Sequence, residues 1–301
     1  MTTSRILTTA HGSKRTAFGP VEWALFMSIS LIWGSSFLLI AVGLDAFEPG
    51  LITLMRVACG SATVILVPSA RRAKIDRDDW RIFVVLAASW VAIPFTLFPI
   101  AQQWVSSGIT GMLNGFMPIM AATISSVLLR SRPGNKQLFG LFAGSIGVVF
   151  VGLSSAGDDD TAALGMALIL LATVCYGFSA NIATPLQHKY GSLVVFSRVL
   201  PIATVMTLPF GLASIPASGF AWDSLVAVIV LGIIGTGLAY VIMGEIVGRA
   251  GPTRGSMVTY LIPVVAVLLG IMFLDETIAA VAIIGMGLVI VGAFMASRTE
   301  T

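Results

Sequence analysis

The sequence predicts an all-α integral membrane protein of ten transmembrane helices, arranged as two inverted five-helix repeats. Three observations carry this reading. Of the 301 residues, 57% are hydrophobic and only 10% are charged, against about 25% charged in an average soluble domain. So much apolar surface on so long a chain needs the bilayer as its solvent. Basic residues fall only on alternate loops between the apolar runs, and a set of motif residues recurs once at a nearly constant offset, the sign of a duplicated unit.

The apolar runs cover roughly 21–44, 49–67, 82–104, 109–129 and 137–153 in the first half. Beyond the polar break Gly157–Asp160 they cover 163–184, 193–213, 225–247, 256–274 and 278–296. Each is near the about 17–25 residues that a spanning helix needs. None alternates polar with apolar as a barrel strand does, so helices, which satisfy their own backbone in hydrocarbon, are predicted throughout. Residues 1–20 are polar and read as a cytoplasmic N-terminal segment without an apolar stretch of its own. The first run is long enough to span and carries no cleavage site, so it is read as a retained helix. The two repeats are placed at 21–155 and 162–296.

The loops supply an independent check. Arg5, Lys14 and Arg15 precede the first run; Arg71, Arg72, Lys74, Arg77 and Arg81 follow the second; Arg130, Arg132 and Lys136 follow the fourth. Lys189 follows the sixth, Arg249 and Arg254 the eighth, and Arg298 lies in the tail. The odd-numbered loops carry only acids, such as Asp45, Glu48 and Asp158–Asp160. This asymmetry predicts cytoplasmic N- and C-termini in a bacterial-type inner membrane. It also accounts for the pI near 9.1 without nucleic acid as a partner, because the cations sit in short membrane-flanking loops.

The repeat is carried by Trp33-Gly34 and Tyr176-Gly177, Arg56 and Arg198, Trp80 and Trp222, Pro118 and Pro263, and Gly140 and Gly285. The offsets within these pairs run only from 142 to 145. An odd number of helices per copy turns the second copy over, which places a substrate site near the midplane between the halves. This order of residues, doubled, resembles the drug/metabolite transporter superfamily, in its ten-helix branch built from two EamA-type repeats, over about residues 21–296. The resemblance implies a secondary transporter that exports small amphipathic metabolites, amino acids or related compounds, by alternating access. It also implies a cavity lined by helices one, three, four, six, eight and nine. In one respect the chain departs from the family pattern: the turn after Pro263 is acidic, Asp275-Glu276, but the matching turn after Pro118 reads Leu129-Arg130-Ser131-Arg132.

Polar and aromatic residues inside the runs are the candidate substrate contacts, because a polar group in hydrocarbon needs a partner or water. They are Trp33 and Ser36 in helix one, Trp90 and Gln102 in helix three, and Asn114 in helix four. Tyr176 and Asn181 in helix six, Tyr240 in helix eight and Tyr260 in helix nine complete the set. Each has the alternative of interhelical hydrogen bonding or interfacial anchoring. Pro118 and Pro263 are expected to bend helices four and nine at the cavity wall. Arg56 and Arg198 read first as snorkelling or carbonyl-bound structural arginines, because a single substrate rarely needs two symmetric clamps; the alternative is a carboxylate or phosphate anchor. Glu245 is a candidate proton site, with an i+4 pair to Arg249 as the favoured alternative. Gly140, Gly144 and Gly147 share one face of helix five, echoed by Gly285 and Gly292 in helix ten. That face reads as scaffold or as a self-association surface, the second of which gives a homodimer.

The sequence contains no P-loop, no His-Glu-x-x-His and no Gly-x-Ser-x-Gly. With only His11 and His188, and with Cys59 and Cys175 inside apolar runs, no metal site or cofactor is expected, and no enzymatic activity. The expected partners are a small-molecule substrate and the lipid bilayer. Two other readings stay open: a nucleotide-sugar or organic-anion exchanger, which calls for more cations facing one cavity, and a non-transporting scaffold or lipid-handling protein, which calls for a sealed bundle.

Overall fold

Pro20 and Pro49 open the first two helices, each at a position where its missing N–H costs nothing. The Glu22 carboxylate accepts the Gly19 N–H at 2.9 Å ahead of the first. In the computed structural model, which describes residues 19–71, 73–128, 134–155, 160–250 and 256–296, ten longer helical segments follow one another, with a single helical turn, Pro68–Arg71, after the second. They are α1 (Pro20–Leu44), α2 (Pro49–Ile65), α3 (Arg77–Ala101), α4 (Ser107–Leu128) and α5 (Asn135–Ser155). The second set is α6 (Asp160–Tyr190), α7 (Ser192–Ser214), α8 (Trp222–Ile246), α9 (Met257–Phe273) and α10 (Ala280–Ala296). There is no strand among the described residues. Seven of the segments, α1 and α3 to α8, are long and apolar enough to cross a membrane. The other three, α2, α9 and α10, are shorter apolar helices of at most 17 residues, or about 25 Å at 1.5 Å per residue, the short end of what spans.

Five segments are interrupted, and the causes are readable. Pro118 and Pro263 each remove the hydrogen bond to a carbonyl four residues back. The breaks fall at Gly115–Phe116 in α4 and at Leu261 in α9, just ahead of the expected bends. α1 breaks at Ser35. α3 and α8 each contain one wide, π-type turn, Ala87–Ala92 and Ile233–Leu238.

Helices pair across the two halves: α5 with α10, α2 with α7, α3 with α6, and the first part of α4 with α9. The glycine face predicted on α5 and α10 is the surface of the closest of these contacts. A methyl added at Gly147 would stand 2.6 Å from the Gly285 carbonyl oxygen, and one at Gly285 2.7 Å from that of Gly147. That face is therefore spent inside the bundle, which removes it as a self-association surface.

Loops of like parity meet one another. At the end where α1 finishes, here the distal end, the Gly219 N–H donates to the Ala46 carbonyl at 2.7 Å, and Glu276 reaches the start of α4. At the opposite, proximal end, Lys189 pairs with Asp76 and Asp79 at 2.6 and 2.8 Å. Large side chains such as Phe142, Val205 and Met272 stand exposed around the outside, a belt suited to hydrocarbon rather than water. The turn Leu129–Arg132, most of the Asp158–Asp160 run and the basic N-terminal segment lie outside the described residues.

Candidate substrate-binding cavity

The doubled aromatic–glycine motif sets the walls. A methyl on Gly34 would stand 2.5 Å from Val265 of α9, and one on Gly177 2.7 Å from the Ala121 nitrogen of α4. Each glycine thus lets a first helix touch the interrupted helix of the other half, while the residue before it, Trp33 or Tyr176, lines the cavity. Between them lies a cavity of about 290 Å³, near the lower end of the about 300–1,000 Å³ typical of ligand sites.

Its walls are largely rings. Tyr240 stacks on Phe196 with centroids 3.7 Å apart, and Trp33 and Trp90 meet Tyr240 and Phe196 edge-on at 6.1 and 5.2 Å. On the other side Tyr176 stacks over Phe98 at 6.0 Å, and Phe37 meets Phe98 at 5.5 Å. The edge-on pairs and the Tyr176–Phe98 stack have the separations favoured for aromatic pairs, while Tyr240 and Phe196 lie nearly face to face.

One charge faces these rings. Arg56 is 5% exposed and lines the cavity. Its Nε–H donates to the Thr236 hydroxyl at 3.0 Å, and its guanidinium carbon lies 3.8 Å from the Phe95 ring centroid, a cation–π contact. Thr236 lies in the wide turn of α8, and its hydroxyl donates to the Leu231 carbonyl, five residues back, at 3.1 Å. Thr53 in turn donates to the Phe95 carbonyl at 3.0 Å, which fixes the ring beneath the guanidinium. Among the described residues, no acidic residue lines the cavity.

The cavity runs from the middle of the bundle to its proximal end, where Thr184, Gln187 and Ser192 line it. The distal end is tied shut. Asp275 takes a left-handed conformation, φ 51°, which aspartate tolerates. Glu276, next in the chain, accepts the Ser107 and Gly108 N–H groups at 2.7 and 2.9 Å. These are free donors at the start of α4, and a carboxylate there is further favoured by the helix dipole.

Six of the nine predicted contacts come together here: Trp33, Ser36, Trp90, Asn114, Tyr176 and Tyr240. Three do not. Gln102 lies in the turn after α3, its amide atoms buried without a hydrogen bond among the described residues. Asn181 donates to the Ala121 and Gly177 carbonyls at 2.9 and 2.8 Å and so straps α6 to α4. Tyr260 donates to the Ala293 carbonyl at 3.2 Å, and Thr259 and Ile262 line the cavity in its place. The reason is local geometry: α9 opens with a tight 3₁₀ turn, Ser256–Tyr260, which rotates faces relative to a continuous α-helix. Tyr260→Phe should therefore lower stability by about 1 kcal/mol and leave solute selectivity unchanged, read by thermal unfolding and by exchange assays on the same preparation.

Glu245 is exposed near the proximal end of α8 and does not line the cavity; the Arg249 side chain lies outside the described residues. Arg198 donates to the Ala73 carbonyl at 3.4 Å and to Ser197 at 3.2 Å, the carbonyl-bound role expected of it. Arg56, its sequence counterpart, is held differently: it is buried, and among the described residues its hydrogen bond goes to the Thr236 hydroxyl rather than to a carbonyl. Its signal in the sequence was a lone cation inside an apolar run. The cavity phenylalanines left no signal, being apolar residues in apolar runs.

The EamA-like transporter family matches residues 22–153 and again 163–298. The uncharacterised transporter YoaV of Bacillus subtilis is 25% identical, over 91% of this chain and 95% of its own. A probable terminal-alkyne amino-acid exporter of Streptantibioticus cattleyicolor is 23% identical, over 92% and 93%. A probable amino-acid metabolite efflux pump of Salmonella typhimurium is 24% identical, over 90% and 93%. A solved crystal structure shares the fold with a TM-score of 0.64 at 20% identity, covering 92% of this chain and 96% of that one.

Proposed function

The chain belongs to the EamA-like transporter family and is a multi-pass membrane transporter, and from that premise we propose that it exports small amphipathic metabolites, amino acids or related compounds, by alternating access. The observation that carries the proposal is the ring-walled cavity, open toward one end of the bundle and tied shut by Glu276 at the other. A site at mid-depth with one closed end is the geometry that alternating access requires. The cross-paired helices support two inverted repeats, about 21–155 and 162–296, that rock against each other. The basic loops favour a cytoplasmic proximal end in an inner membrane, so the cavity faces the supply of a solute to be exported. The names of two relatives, an amino-acid exporter and an amino-acid metabolite efflux pump, support the substrate class. An open, partly polar cavity speaks against a sealed scaffold, and Arg56 as the single lining cation among the described residues speaks against a nucleotide-sugar site.

Counterflow in liposomes loaded with a panel of amino acids, organic anions and organic cations tests this. Exchange of at least one amphipathic amino acid is expected. Tyr240→Ala, which removes the ring stacked on Phe196, should lower that exchange about tenfold or more, in line with the loss of a buried aromatic contact. A protein that exchanges no solute of the panel sinks the transport proposal.

A further inference from the structure

Arg56 has more to give than it uses. A guanidinium carries five N–H donors; one is on Thr236, and no other hydrogen bond or ion pair holds it among the described residues. Its flat face is covered by Phe95, so the remaining donors lie along its edge, on a side chain that lines the cavity. A buried cation without a counter-charge is costly. A planar carboxylate laid against that edge accepts two parallel N–H bonds and cancels the charge at once.

We propose that Arg56 is the substrate's carboxylate anchor, and that the site recognises amphipathic carboxylates whether or not they carry a free amine. The second half follows from the lining: with no acidic side chain among the described lining residues, the cavity offers an ammonium group no counter-charge. Asn114, whose Oδ1 is buried without a hydrogen bond among the described residues, offers at most a neutral polar contact. The rings of Trp33, Trp90, Tyr176 and Tyr240 take the apolar part of the molecule. Thr236 acts as a positioning residue, holding Nε so that the outer edge faces inward. This deepens the transport reading above and rests on it.

The test uses the purified full chain in liposomes, with counterflow as one readout and quenching of cavity tryptophan fluorescence as a second that needs no transport. The probes are phenylalanine, N-acetylphenylalanine, 3-phenylpropionate and phenylalaninamide. The first three should bind and exchange, and the amide at least about tenfold less well. Arg56→Lys keeps the charge but loses the fork, and Arg56→Gln loses both; each should weaken the three carboxylates about tenfold or more relative to the amide. Should the Arg56 variants not fold, Thr236→Val is expected to lower the acid-to-amide ratio, with Thr236→Ser restoring it. Equal handling of acid and amide, or normal carboxylate binding in folded Arg56→Gln, overturns the anchor. Rejection of N-acetylphenylalanine with phenylalanine accepted overturns the claim that the amine is dispensable. Exchange of amides or cations without carboxylates defeats the anchor alone, whereas exchange of nothing defeats the transport reading beneath it.

Discussion

Gly285→Leu is expected to destabilise the folded bundle more than any other single substitution considered, while Gly287→Leu, two residues along the same helix, is expected to be nearly silent. The difference is geometric. A first side-chain carbon at Gly285 meets the Gly147 carbonyl oxygen at 2.7 Å and Phe150 Cβ at 2.9 Å, whereas one at Gly287 meets nothing within 4 Å. Backbone cannot give way as a flexible side chain can, so α10 must lift off α5 along its length. Overpacking of a tight contact costs about 1–3 kcal/mol, and in a membrane bundle close approach of small residues is itself a main source of helix association. Thermal unfolding of the detergent-purified variants measures this, at roughly 2–4 °C per kcal/mol for a chain of about 150–250 residues and less for a longer one. Equal midpoints for the two variants would falsify the close-contact account of this interface.

Breaking the tie at Glu276 should change which end of the cavity is open. Glu276→Ala leaves the Ser107 and Gly108 N–H groups at the start of α4 without their acceptor. Two charge-assisted bonds contribute about 1.5–3 kcal/mol each at most, and a bias of about 1.4 kcal/mol is already tenfold in a two-state population. The variant should therefore populate the distal-open form at least several-fold more. A cysteine placed at Ser36, with Cys59 and Cys175 replaced by serine, reports it through faster labelling by an impermeant maleimide from the distal side. Unchanged labelling in Glu276→Ala would mean that the α4–α9 contact is held elsewhere. Glu276→Gln, which keeps one acceptor, should fall between the two.

This role was not legible beforehand. The acidic turn stood out in the sequence because its counterpart in the first repeat is basic, but nothing there said what Glu276 touches. Its partners are backbone amides about 170 positions earlier, and backbone amides leave no trace in residue type. The same reason separates Asn181 from Asn114. Both are amides in apolar runs, and only the packing decides that one straps α6 to α4 while the other lines the cavity. Tyr260 was singled out as a polar ring inside an apolar run, and the tight turn at Ser256–Tyr260 sets it on the Ala293 carbonyl instead of in the cavity lining.

What the sequence determined by itself was the material that repeats and alternates: apolar runs of spanning length, loop cations on one side only, and the doubled order of Trp-Gly, Arg, Pro and Gly. These are properties of the chain against its solvent, and they need no neighbours to be read. The tertiary structure decided what each matched residue does. Arg56 and Arg198 occupy equivalent places in the repeat, yet one meets Thr236 and Phe95 in a cavity and the other a loop carbonyl at the proximal end. Burial and hydrogen bonding depend on which helices lie alongside, and that choice is made between the halves of the chain rather than within either one.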